Sequence, residues 1–67
     1  MSKKNIRASI HLSLGDSHKI AIDENGEIVD LVSAKGDELA EKIVKEINSG
    51  KFSSGRDASR WAKQQNS

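Results

Sequence analysis

HKIAIDENGEIVDLV, residues 18–32, decides the fold. Asn25-Gly26 stands at its middle, a dipeptide that tolerates positive φ at both positions and therefore suits a two-residue hairpin turn. Apolar and polar residues alternate through His18-Lys19-Ile20-Ala21-Ile22-Asp23 before it. With the dipeptide in the turn, Ile22 falls opposite Val29 and Ile20 opposite Leu31, which makes one face of the ribbon aliphatic from both strands. Ile28 and Val32 then point to the other face. Their exposure there predicts a partner or a second layer.

Working upstream, Ile6, Ala8, Ile10, Leu12 and Leu14 recur at every second position with Arg7, Ser9, His11 and Ser13 between them. That is the period of a half-buried strand. A three-residue loop at Gly15 to Ser17 sets Leu12 beside Ile20 and Ile10 beside Ile22, completing a three-stranded antiparallel meander. Downstream of Gly36 the period changes to about 3.6, with Leu39, Ala40, Ile43, Val44 and Ile47 forming a stripe. Asp37 and Glu38 lie in the first turn, where the helix dipole favours acids. Asn48-Ser49-Gly50 ends this helix. Ser54 and Asp57 have the spacing of a capping box and start a second helix through Ala58, Trp61 and Ala62 to about Gln65. The expected fold is one α+β domain over residues 1–67, a three-stranded antiparallel meander followed by two helices, in the order β-β-β-α-α.

A chain of 67 residues is near the lower size at which one core supports a fold. It has no cysteine and only two histidines, so neither a disulfide nor a structural zinc is expected to brace it. Oligomerisation is the support that remains, and a homodimer is expected. The absence of cysteine fits a reducing compartment, the first residues lack the apolar run of a signal peptide, and no stretch approaches the ~20 apolar residues that cross a membrane. A cytoplasmic protein is the expectation.

The net charge of +1 conceals a layout. Lys3, Lys4 and Arg7 open the chain with no acid among the first fifteen residues, nine acids oppose four lysines over residues 16–46, and four bases oppose Asp57 after that. Basic ends around an acidic middle can build a face for phosphate or for an acidic protein surface. The same layout also serves as ordinary solubilising charge.

Little in the chain suggests catalysis. His11 and His18 can approach each other across the first two strands, yet no cysteine or spaced carboxylate joins them. Gly50-Lys51 lacks the glycine five positions earlier and the hydroxyl residue after it that a phosphate-binding loop requires. Asp23, Glu24, Glu27 and Asp30 lack the pattern of a calcium loop. Trp61 and Phe52 are the only aromatic residues, too few for a base-stacking surface. The expectation is a non-catalytic binding protein with no cofactor and no metal. Trp61 reads either as core or as an interface anchor. Arg56, Arg60 and Lys63, at spacings of four and three, make one side of the last helix basic.

The stretch GDELAEKIVKEINSGKFSSGRDASR, residues 36–60, resembles the helical part of ParD-like antitoxins of the ribbon-helix-helix superfamily. The resemblance rests on Gly36, Gly50, Lys51, Phe52, Ser54, Asp57 and Arg60. It implies a dimer in which a short strand, here Ile28 to Ser33, pairs with its copy and enters the DNA major groove. On that reading the protein is a DNA-binding transcriptional regulator or antitoxin, with Lys3, Lys4, Arg7, Arg56, Arg60 and Lys63 as phosphate contacts. The rival expectation is an adaptor or inhibitor of phage or mobile-element type that engages another protein through the face or edge of its sheet, with Ile28, Val32 and Trp61 at the interface.

Overall fold

The computed structural model describes residues 5–66. Within them run β1 (Ile6–Leu14), β2 (Ser17–Glu24), β3 (Glu27–Lys35), α1 (Asp37–Asn48) and α2 (Gly55–Gln64). The strands form one antiparallel sheet in the order β1-β2-β3, with α1 laid mainly along β1 and α2 along β3. This is an α+β fold in the order β-β-β-α-α that the residue pattern predicts.

The second hairpin closes as expected. Asn25 and Gly26 both take positive φ, 55° and 91°, and Glu24 pairs with Glu27 across them. The first turn is tighter than the sequence suggests: Leu14 pairs with Ser17, so Gly15-Asp16 alone makes the turn. Its pairing also moves, Ile10 facing Ile20 and Ala8 facing Ile22.

Each hairpin carries one extra residue, and these two residues rearrange the faces of the sheet. His11 is unpaired between Ile10, opposite Ile20, and Leu12, opposite Lys19. Val29 is unpaired between Ile28, opposite Asp23, and Asp30, opposite Ile22. Side chains on a strand alternate with a period of two, so an inserted residue exchanges the faces of everything beyond it. Val32, expected on the open face, therefore faces Ile20 and is 2% exposed, a core residue. Leu12, Leu14 and Leu31, expected in the core, lie uncovered instead.

Ile20 and Ile22 from the central strand, Val32 from β3, and Ile43 and Ile47 from α1 are the largest fully buried side chains. Each contributes about 1.5–3 kcal/mol by leaving water. α2 adds only Ala58 and Ala62 to this core, with Phe52 and Trp61 packed at its margin. Small residues let α2 approach the sheet closely. Gly55, its first residue, has no room for a side chain, since a Cβ there would lie 2.5 Å from Val29 Cγ2. α1 ends with Gly50 at φ 89° beyond its last turn, and the Ser54 hydroxyl caps α2 by accepting from the Asp57 N–H at 3.1 Å.

Candidate interaction surface

The helices cover one face of the sheet and leave the other bare. On the bare face four cross-strand rows can be read from the register: Arg7, Asp23 and Ile28; Ser9, Ala21 and Leu31; Leu12, Lys19 and Ser33; Leu14, Ser17 and Lys35. Ile28 and Leu31 occupy one corner, Leu12 and Leu14 the opposite corner, and Ala21 joins them across the middle. The four aliphatic side chains are 57%, 47%, 51% and 73% exposed in that order. Ala21 is 4% exposed although no helix covers it, because its methyl group lies low among longer neighbours. Arg7, His11, Asp23 and Ile28 wall this depression, which holds about 300 Å³. Lys19 lies along the face and donates from Nζ to Ser33 Oγ at 2.7 Å.

Both edges of the sheet are capped by side chains. On β1 the Ala8 N–H donates to Asn48 Oδ1 at 2.7 Å, and Asn48 Nδ2 donates to the Ala8 carbonyl at 3.0 Å. The side-chain amide at the end of α1 thus imitates one rung of a neighbouring strand. On β3 the Leu31 N–H donates to Asp30 Oδ1 at 2.8 Å, and Asn66 Nδ2 donates to the Ser33 carbonyl. Backbone groups that would template an added strand are occupied at these points.

The basic residues expected to share a surface do not share one within the described residues. Lys3 and Lys4 lie outside them. Arg7 is on the bare sheet face, whereas Arg56, Arg60 and Lys63 are on α2, across the sheet from it. Lys63 Nζ is committed to Asp30 Oδ2 at 3.1 Å. A hydrogen bond from the Ser59 hydroxyl, helped by Lys63 and the Leu31 N–H, holds the Asp30 carboxyl below its ordinary pKa against the opposing effect of burial. Arg56 and Arg60 are exposed, and neither forms an ion pair among the described residues. Of the three interface residues expected from sequence, Ile28 is on the bare face and Val32 is in the core. Trp61 is half-buried in the helical layer, its ring centroid 5.4 Å from that of Phe52 and 5.3 Å from the Lys51 ammonium. It belongs to a different surface from Ile28.

His11 and His18 do not converge. His11 borders the Ala21 depression, while His18 is 7% exposed on the helix side. His18 Nε2 lies 2.7 Å from Asp37 Oδ1, and its Nδ1 lies 2.6 Å from Ser13 Oγ. An ionised Asp37 only accepts, so Nε2 carries a proton, and in the neutral ring Nδ1 accepts from the Ser13 hydroxyl. Serine, histidine and aspartate in series suggest a nucleophile, base and orienting group. The Asp37 carboxylate is 82% exposed, however, and none of the described depressions contains Ser13. The arrangement acts as a clamp joining the first hairpin to the start of α1.

Sequence reasoning missed Leu12, Leu14, Leu31, Lys19 and Lys35 as surface residues of one patch. A signal was present. The third strand carries aliphatic residues of both parities, Ile28, Val29, Leu31 and Val32, which one covered face cannot all occupy. No group of three or more metal-ligating side chains occurs among the described residues, and no helix there is long and apolar enough to cross a membrane. No protein-family model matches the chain, and neither a curated protein nor a solved structure matches it.

Proposed function

We propose that this is a small non-catalytic binding protein that docks the bare face of its sheet on another protein. One observation carries the reading. Leu12, Leu14, Ile28 and Leu31 stand uncovered at two corners of one sheet face, joined across Ala21, in a chain whose sheet edges are capped at Ala8, Leu31 and Ser33. Exposed apolar surface of this extent on a small domain marks an interaction site, because water gains when a partner covers it. The capping of the edges favours face docking over strand addition, the other mode open to a sheet. The test is affinity capture from the source cell with the wild type, with a Leu12→Asp, Leu31→Asp double variant, and with an Arg56→Glu, Arg60→Glu double variant. A specific protein held by the first and third and lost from the second supports the reading. A partner lost only from the third removes it.

A second reading is favoured by Arg56 and Arg60. They stand one helical turn apart, exposed and without an ion-pair partner among the described residues, as phosphate contacts do. On this reading the protein is a nucleic-acid-binding regulator, as the resemblance to the ribbon-helix-helix superfamily implies, with α2 against the backbone. Its strand β3 is hydrogen-bonded to β2, so phosphate contacts and not a free ribbon would carry the affinity. Duplex DNA of random sequence, titrated from low to moderate salt, tests it. Absence of binding at low salt removes it.

A further inference from the structure

We infer that the partner of the bare sheet face is a different protein, one that presents an apolar ridge bordered by carboxylates, and not a second copy of this chain. The inference rests on the reading of that face as the docking surface. It adds the chemistry of the occupant.

Among the described residues Arg7, Lys19 and Lys35 are the cations of the face, and Asp23 is its only acid. Lys19 lies on the central strand beside the middle of the aliphatic band. A two-fold axis along the central strand, or along the diagonal of the aliphatic residues, sets a residue in that place against its own copy, so a dimer of that symmetry would bury Lys19 against Lys19. Two copies would also bring six cations together with two acids in one interface, and a charge desolvated without a counter-charge is strongly unfavourable. Self-pairing in which the strands of the two faces simply align is no better, because it lays the aliphatic corners over Arg7 and Lys35.

A foreign surface has no such constraint. Its apolar ridge can follow the diagonal from Ile28 and Leu31 to Leu12 and Leu14. A single side chain on that ridge fits the depression above Ala21, whose walls offer both Arg7 and Asp23. Carboxylates beside the ridge meet Arg7, Lys19 and Lys35. Such rim charges raise the association rate and select against wrong partners, while the aliphatic band supplies most of the affinity.

The experiment uses a library of random displayed peptides, selected on the immobilised full chain. The binders are then titrated into isotope-labelled protein while backbone amide resonances are followed. Sedimentation of the free chain over a range of concentration runs beside it. Expected are binders with apolar residues bordered by aspartate or glutamate, which shift the amides of Leu12, Lys19, Ala21 and Leu31. Their affinity should fall about tenfold in a Lys19→Glu, Lys35→Glu variant at low salt. Binders that shift these same amides but carry no acids, and that ignore the charge reversal, overturn the proposed chemistry and leave the docking face standing. Binders that shift α2 instead, or a library that yields none, overturn both. A dimer in sedimentation that Leu12→Asp with Leu31→Asp dissociates makes a second copy the occupant and overturns the inference.

Discussion

The two faces of the sheet are built from the same aliphatic residue types on the same three strands, yet they have opposite fates. On the helix side Ile20, Ile22 and Val32 are at most 2% exposed; on the other side Leu12, Leu14, Ile28 and Leu31 are about half exposed or more. Hydrophobicity alone does not separate the two sets. What separates them is strand parity, which the inserted residues His11 and Val29 reset partway along each hairpin. The bulges place Val32 inside and Leu31 outside, so the domain keeps a core on one face and an adhesive surface on the other.

The largest effect tests the buried side. Ile43→Ala removes a fully buried side chain that packs against the sheet, and it should cost about 2–5 kcal/mol. In a chain this small that is a large part of the total stability. A fall in the urea midpoint large enough to leave little folded protein at 37 °C checks it. A change below ~1 kcal/mol would mean that the helical layer is not the main cover of the sheet.

Next in size is the edge that keeps the two faces distinct. Asn48→Ala deletes both hydrogen bonds to the Ala8 backbone and leaves an N–H and a carbonyl at the β1 edge. A loss of about 1–2 kcal/mol is expected, with faster hydrogen exchange at the Ala8 amide and greater association at high concentration. If exchange at Ala8 is unchanged, Asn48 is not the cap of this edge.

Asp30 sits where the bulge ends, and its effect is smaller and depends on pH. Its carboxyl is held below its ordinary pKa by Ser59 first and Lys63 after it. A depressed carboxyl stabilises the fold at pH values above its unfolded pKa, and that contribution is lost as the pH falls below about 4 and through the depressed value. Asp30→Asn should cost about 1 kcal/mol or less at neutral pH, since the side chain is one-third exposed. The cost should shrink in acid. Melting curves at neutral and acidic pH check this, and a cost that grew in acid would contradict the assignment.

The order of elements was legible because local signals agreed: alternation, Asn25-Gly26, the 3.6 period after Gly36, and the serine that caps α2. The faces were less legible. A bulge adds one residue without a composition cue, and moving Leu31 and Val32 by one position exchanges core for surface. The Asn48 clip was hidden for a different reason. Asparagine at the end of a helix reads as a stop signal, and its partner Ala8 lies forty residues away. Of the basic face expected from the two chain ends, the described residues do not come together, since Arg7 and the arginines of α2 fall on opposite sides of the sheet.

The smallest expected effect on stability carries the most information about function. Leu12→Asp and Leu31→Asp place charge where half of each side chain already meets water, so little burial is lost and the fold should change by no more than about 0.5 kcal/mol each. Binding should respond in the opposite sense, because a carboxylate in the middle of the band must be desolvated when a partner covers it. Stability and binding are thereby separated by substitutions on one face, just as Ile43→Ala would abolish both through the other. The comparison breaks if the double variant melts several kcal/mol below the wild type. That result would show the leucines to be covered within the folded chain, leaving no bare face for a partner to find.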